Sequence, residues 1–140
     1  MTSQPPVLDA SVLAAVSLGG GLGATARYAI GHFWPVPAGR FPWSTLTVNV
    51  LGCFAIGVLM VMITEVFEAP KLVRPFLGIG VLGGFTTFST YSLEIRGLLD
   101  SGAIGTAISY LGVTVFAALG AVAVGMIATR CAMSTRGTAS

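Results

Sequence analysis

Hydrophobic residues along this chain come in long unbroken runs, not in the alternations of a half-buried strand or the single stripe of a surface helix. Charge-free stretches extend from Ala10 to Ala26, Phe41 to Thr64, Pro75 to Leu93 and Ser101 to Thr129, and short clusters between them hold nearly every ionisable side chain. A helix needs roughly 20 apolar residues to cross the hydrocarbon of a bilayer, and each run approaches or exceeds that length. The pattern predicts membrane spans at about 7–30, 43–64, 75–93 and 102–129, which together make one four-helix domain over residues 1–140. Such a chain leaves no room for a soluble catalytic module.

Composition sharpens the class. The chain is 54% hydrophobic and only 9% charged, against about a quarter charged in soluble domains. The expected fold is an all-α integral membrane protein. No basic segment precedes the first apolar run, so that run reads as a span and not as a cleaved leader. Cys53 and Cys131 are too far apart in sequence and setting for a metal site and read as small packing thiols. A net charge of +2 spread over two membrane faces implies no nucleic acid partner.

The placement of charge says more than its sum. With four spans, Lys71, Arg74, Arg130 and Arg136 fall on one face and Arg27, Arg40 and Arg96 on the other, a basic count of 4 against 3. An excess of Lys and Arg sets membrane orientation, and here there is almost none. The chain should insert either way up, and an antiparallel homodimer of dual topology is the expected assembly.

The four runs differ in their polar content. The first holds Gly19-Gly20-Gly21-Leu22-Gly23, whose small residues permit close helix approach. Gly21-Leu22-Gly23-Ala24-Thr25-Ala26 loosely matches a dinucleotide fingerprint, but no strand precedes it. Arg27 follows, with Tyr28, His32, Phe33 and Trp34; it reads either as a snorkelling cation in an aromatic belt or as a vestibule charge that concentrates anions. His32 is the chain's single histidine, which excludes a multi-histidine metal centre within one copy. Thr45 and Asn49, four apart in the second run, share a helix face and read equally as interhelical glue or as functional donors.

The third run carries the strongest signal. Gly83-Gly84-Phe85-Thr86-Thr87-Phe88-Ser89-Thr90-Tyr91-Ser92 places five Ser and Thr hydroxyls behind a double glycine, in a segment built for lipid. Glycine weakens a helix interior by about 1 kcal/mol, so a break is expected at the glycines, giving two half-helices. Interrupted backbone at membrane depth is tolerated only where protein buries it or where it lines a cavity, and its freed carbonyls can coordinate a small cation. In the fourth run Tyr110, Thr114 and Ala118 share a face.

No catalytic set emerges. Asp9, Glu65, Glu68, Glu94 and Asp100 all fall at span ends or in loops, and the buried ionisable group expected of a proton-coupled carrier is missing. What remains is a neutral path of amide, hydroxyls and aromatic edges, all able to donate partial positive charge. It suits a small anion or a small polar solute.

The assembled motifs, Gly-Ala-Thr-Ala-Arg-Tyr at 23–28, Thr-Leu-Thr-Val-Asn-Val-Leu-Gly at 45–52 and Gly-Gly-Phe-Thr-Thr-Phe-Ser-Thr-Tyr-Ser-Leu-Glu at 83–94, resemble the Fluc or CrcB-type fluoride channels over essentially the whole chain. The resemblance implies an antiparallel, dual-topology homodimer in the bacterial plasma membrane, passively exporting cytoplasmic fluoride and so protecting against its toxicity. It implies a structural Na+ ion at the dimer centre, held by the backbone carbonyls of Gly83 and Thr86. It makes Asn49 the pore asparagine and Phe88 the first ring of a phenylalanine pair, whose second place is taken by Tyr91. Thr45, Tyr110 and Thr114 match a polar pore lining, in which Ala118 replaces a more usual hydroxyl. Arg27 matches an arginine near the pore mouth, and Glu94 an acid after the break. A dual-topology small-molecule or multidrug exporter is the alternative, disfavoured because no glutamate lies in the first run.

Overall fold

The computed structural model describes residues 9–66 and 68–137, with side chains as far as residue 134, and among them every regular element is helical. The start of the expected first span at Val7, and the Arg136 side chain, lie outside the described residues. Helix α1 (Ala10–Phe33) begins at Asp9, whose carboxylate accepts the Ser11 amide at 3.0 Å. The same carboxylate pairs with Lys71, which holds its pKa well below the usual carboxylate range and ties the start of α1 to the connection beyond α2. A proline-rich loop turning at Gly39, with φ of +76°, leads to α2 (Trp43–Val61), continued by one π-wound turn, Met62–Val66. The third run forms three pieces: a π-wound helix Arg74–Leu82, a single turn α3 (Gly83–Phe85), and α4 (Ser89–Asp100). Gly102 then turns the chain into α5 (Ile104–Gly137).

Among the described residues, three helical stretches are long and apolar enough to cross a membrane: Trp43–Val66, Arg74–Asp100 and Ile104–Ser134. They correspond to the second, third and fourth predicted spans, each running further at its C-terminal end. Helix α1 has the length, at 24 residues, but its glycines, Arg27 and His32 dilute its apolar character.

Two seams organise the bundle: α1 against Arg74–Leu82, and α2 against α5. Both depend on backbones in contact. A Cβ on Gly23 would overlap the Val81 carbonyl and lie 2.7 Å from the Phe85 amide nitrogen, and one on Gly84 would lie 2.5 Å from the Gly20 carbonyl oxygen. The cost of glycine in a helix is thus offset by packing that larger residues would block. This also corrects the expected position of the break. Gly83 and Gly84 remain helical, and the chain departs only at Thr86, where ψ is 155°.

Away from the seams, Leu46, Tyr91, Leu98, Ala107 and Tyr110 form a buried cluster where α2, α4 and α5 meet, with Phe41, Val50 and Ile95 packed around it. The polar side chains of interest border this cluster.

Candidate functional site

The break is held open by a side chain from another helix. Asn49 donates its amide to the Thr87 carbonyl at 3.0 Å and accepts the Thr87 N–H at 2.8 Å, so one buried amide replaces both backbone partners of that residue. Thr87 Oγ1 accepts the Thr90 N–H at 3.1 Å and starts α4 in the manner of an N-cap. Arg27 reaches the same region from α1: its Nε donates to the Gly84 carbonyl at 3.2 Å and its Nη1 to Thr90 Oγ1 at 3.3 Å. A lipid-exposed break would leave these backbone groups unpaired at several kcal/mol each; here α1 and α2 satisfy them.

The carbonyls of Gly83 and Thr86 are among those that lose their helical donors in the process. In a continuous helix Thr87 N–H would bond Gly83 and Thr90 N–H would bond Thr86, but they go to Asn49 and to Thr87 Oγ1 instead. Gly83 and Thr86 are the residues expected to hold a cation, and backbone oxygen released from helix bonding is the donor type that unwound membrane helices offer to Na+. The residues present therefore fit the ion.

The expected pore lining comes together a helical turn or more beyond the break. Thr45 Oγ1 donates to Glu94 Oε1 at 2.7 Å and the Tyr110 hydroxyl to Glu94 Oε2 at 2.6 Å. Tyr110 is wholly buried. Thr114, one turn further along α5, is 5% exposed, and its hydroxyl has no partner among the described residues. Tyr91 donates its hydroxyl to the Leu111 carbonyl at 2.9 Å, so that oxygen is engaged within the chain. Phe88, Tyr91, Tyr110 and Phe41 form a chain of rings with successive centroid separations of 5.8, 5.1 and 5.2 Å. Its outer member, Phe88, is 79% exposed, a large ring presented outward from a hinge.

Two assignments change. Glu94, read in the sequence as lying at a span end, is carried on a helix that continues past it to Asp100, and its carboxylate accepts two buried hydroxyls. Thr87, read in the sequence as one hydroxyl among several, is the residue on which the break closes. Its signal was faint: a threonine directly before Phe88, with Asn49 as the unpaired amide of another helix.

These groups border a cavity of about 480 Å³ between α1, α2 and α4, lined by Arg27, His32, Thr45, Thr87, Thr90 and Glu94 among others. Of the expected site residues, Arg27 and Thr45 reach this cavity directly. Asn49 adjoins it through Thr87, and Tyr110 through Glu94.

Comparison with known proteins agrees with this architecture. Residues 14–126 match the family model described as CrcB-like protein, Camphor Resistance (CrcB). The chain is 60% identical over 130 residues, 93% of each chain, to a protein of Nocardia farcinica named fluoride-specific ion channel FluC 2. It is 59% identical over 114 residues to FluC 1 of Streptomyces coelicolor, covering 81% of this chain and 74% of that one. A FluC protein of Rhodospirillum centenum is 43% identical over 127 residues, 88% of this chain and 98% of its own. With the matched segment spanning the helices that build the break, the cavity and the polar strip, this chain belongs to the CrcB-like family.

Proposed function

We propose that this chain is a passive fluoride channel of the plasma membrane, working as an antiparallel homodimer of dual topology and lowering cytoplasmic fluoride without an energy source of its own. The observation that carries the reading is the polar strip of Thr45, Tyr110 and Thr114, buried in an apolar bundle and ending in a hydroxyl with no partner. The fluoride channels named among its relatives support the same ion. The family is one of ion channels, and the chain is not an enzyme.

Fluoride is small and strongly hydrated, so its path must replace water with donors at every step while binding weakly enough to release it. Hydroxyls do this without a full positive charge that would trap the ion. The Thr45 and Tyr110 protons now rest on Glu94, and a passing fluoride would compete for them as an acceptor of comparable charge. Phe88 offers a positive ring edge at the outward face of the hinge, and a second copy of the chain would enclose it. Asn49 acts by holding the Thr87 backbone in place. Gly83 and Thr86 would supply one copy's share of a Na+ site that fixes the crossing point of two broken helices.

Fluoride efflux from liposomes containing purified protein tests the reading, with chloride as control. Rapid fluoride loss with chloride retained is expected; equal loss of both ions, or retention of both, overturns selective conduction. A dual-topology exporter has one observation in its favour, the carboxylate of Glu94 within a span, because such groups often carry protons. Fluoride flux that stops without a proton gradient would favour that carrier.

A further inference from the structure

The cavity beside the break contains a titratable group that the conduction path does not use. We propose that His32 is a pH-responsive element of the pore vestibule: protonated, it raises the local fluoride concentration and speeds access to the path. The inference rests on the channel reading above.

His32 lines the same cavity as Arg27, Thr45, Thr87 and Glu94. It lies five residues after Arg27 on α1, or about 7.5 Å along the axis at 1.5 Å per residue, toward the end of the helix at Phe33. The exposed ring stacks on Tyr28 with centroids 6.0 Å apart and planes 18° apart, and meets the edge of Phe33 at 5.3 Å. An aromatic belt residue needs only the water interface, whereas His32 also lines the cavity that extends to Thr87.

The charges around it are few. Helix α1 contributes Arg27 and Tyr28, α4 contributes Glu94, and the α2 residues facing the cavity, Ser44, Thr45 and Val48, are neutral. In the connecting loop, Arg40 borders an adjoining pocket that also contains Glu94. Further along α4, Arg96 is paired with Asp100 at 3.6 Å. Arg27 uses two of its nitrogens on Gly84 and Thr90, and Glu94 places a negative charge opposite. A second cation at the outer end changes the sign balance of the cavity. Imidazole is the side chain that gains such a charge between about pH 8 and about pH 5, and a unit charge at vestibule distance in a largely aqueous space alters anion occupancy about two- to three-fold at low ionic strength, less in salt.

The test is fluoride efflux from liposomes at low fluoride, between about pH 6 and about pH 8, comparing the unaltered chain with His32→Gln and His32→Arg, after subtraction of leak from protein-free liposomes. The unaltered channel should slow about two- to three-fold as pH rises, and the slope should shrink at high salt. His32→Gln should be flat at the slower rate and His32→Arg flat at the faster one. A slope that survives in His32→Gln, or an unaltered channel that conducts fluoride with no slope, overturns the proposal while leaving the channel reading intact; an unaltered chain that passes no fluoride overturns the channel reading itself.

Discussion

The two halves of the third helix are held by opposite kinds of contact. Arg74–Leu82 and α3 approach α1 backbone to backbone, with Gly19, Gly23, Gly80 and Gly84 at the points of approach, and Arg27 adds one side-chain bond, to the Gly84 carbonyl. Helix α4 is held through polar side chains: Thr45 and Tyr110 on Glu94, Tyr91 on the Leu111 carbonyl, and Arg27 on Thr90. A backbone seam is steric and has one solution, since packed interiors yield little to added atoms. A hydroxyl on a carboxylate can rotate away and return. The rigid half can therefore fix where the break occurs, while the polar half offers groups that an ion could borrow.

The sharpest way to break this contrast is a methyl group on the rigid side. Gly23→Ala puts a Cβ into the Val81 carbonyl and against the Phe85 amide, both main-chain atoms that no rotamer change can move. Overpacking costs about 1–3 kcal/mol where side chains can give, and the upper end or more is expected here. The readout is loss of the folded species on size exclusion in detergent and a lowered unfolding midpoint. Gly21→Ala, two residues away with nothing within 4 Å of the new Cβ, should leave both unchanged. Similar damage from both variants would remove the seam as the explanation.

Next in size is the residue where the two halves join. Asn49→Asp keeps an acceptor for the Thr87 N–H but replaces the donor to the Thr87 carbonyl, at 3.0 Å, with a second oxygen. A buried carbonyl left unsatisfied costs about 1–3 kcal/mol, and the added negative charge would repel an anion. A moderate drop in unfolding midpoint together with near-complete loss of fluoride efflux is expected. Normal efflux would separate Asn49 from conduction.

Phe88→Ile reverses that pattern. The ring is 79% exposed in the single chain, so its replacement should leave the fold of each chain intact, as judged by helical content, while sharply reducing fluoride flux. Full flux would remove the ring edge from the mechanism.

This contrast also shows what could be read from the sequence. The starts of the second and third helices were visible because proline and charge interrupt the apolar runs: Trp43 follows Pro42, and Arg74 opens the third stretch. That the third helix breaks was visible too, since glycines followed by clustered hydroxyls are costly in lipid without a purpose. Its position was not. The choice between Gly83 and Thr86 depends on contacts with Gly20 and with Asn49, the latter 38 residues away from Thr87. The partners of Glu94 were hidden for a similar reason. Its distance from the charged cluster at Arg96 and Asp100 looks short in sequence, but α4 carries its carboxylate inward to hydroxyls 49 and 16 residues distant.

The smallest expected effect tests whether the polar rule extends to the edge of the rigid half, where Asp9 pairs with Lys71. Asp9→Asn removes the charge but keeps the cap, because Asn serves as well as Asp at a helix N-terminus and can still accept the Ser11 amide. The hydrogen bond from Lys71, with those from Ser11, lowers the folded-state pKa of Asp9. Its contribution is therefore fully present above the unfolded carboxylate value, about 3.9, and drains away as pH falls below it. At neutral pH the variant should unfold slightly earlier than the unaltered chain; the gap should begin to shrink as the pH falls below about 3.9 and close only as the pH passes down through the lowered folded-state value. The ion pair is exposed, and screening should reduce the gap in salt. If the gap persists in acid, the contribution of Asp9 lies in packing at the start of α1 and not in its charge.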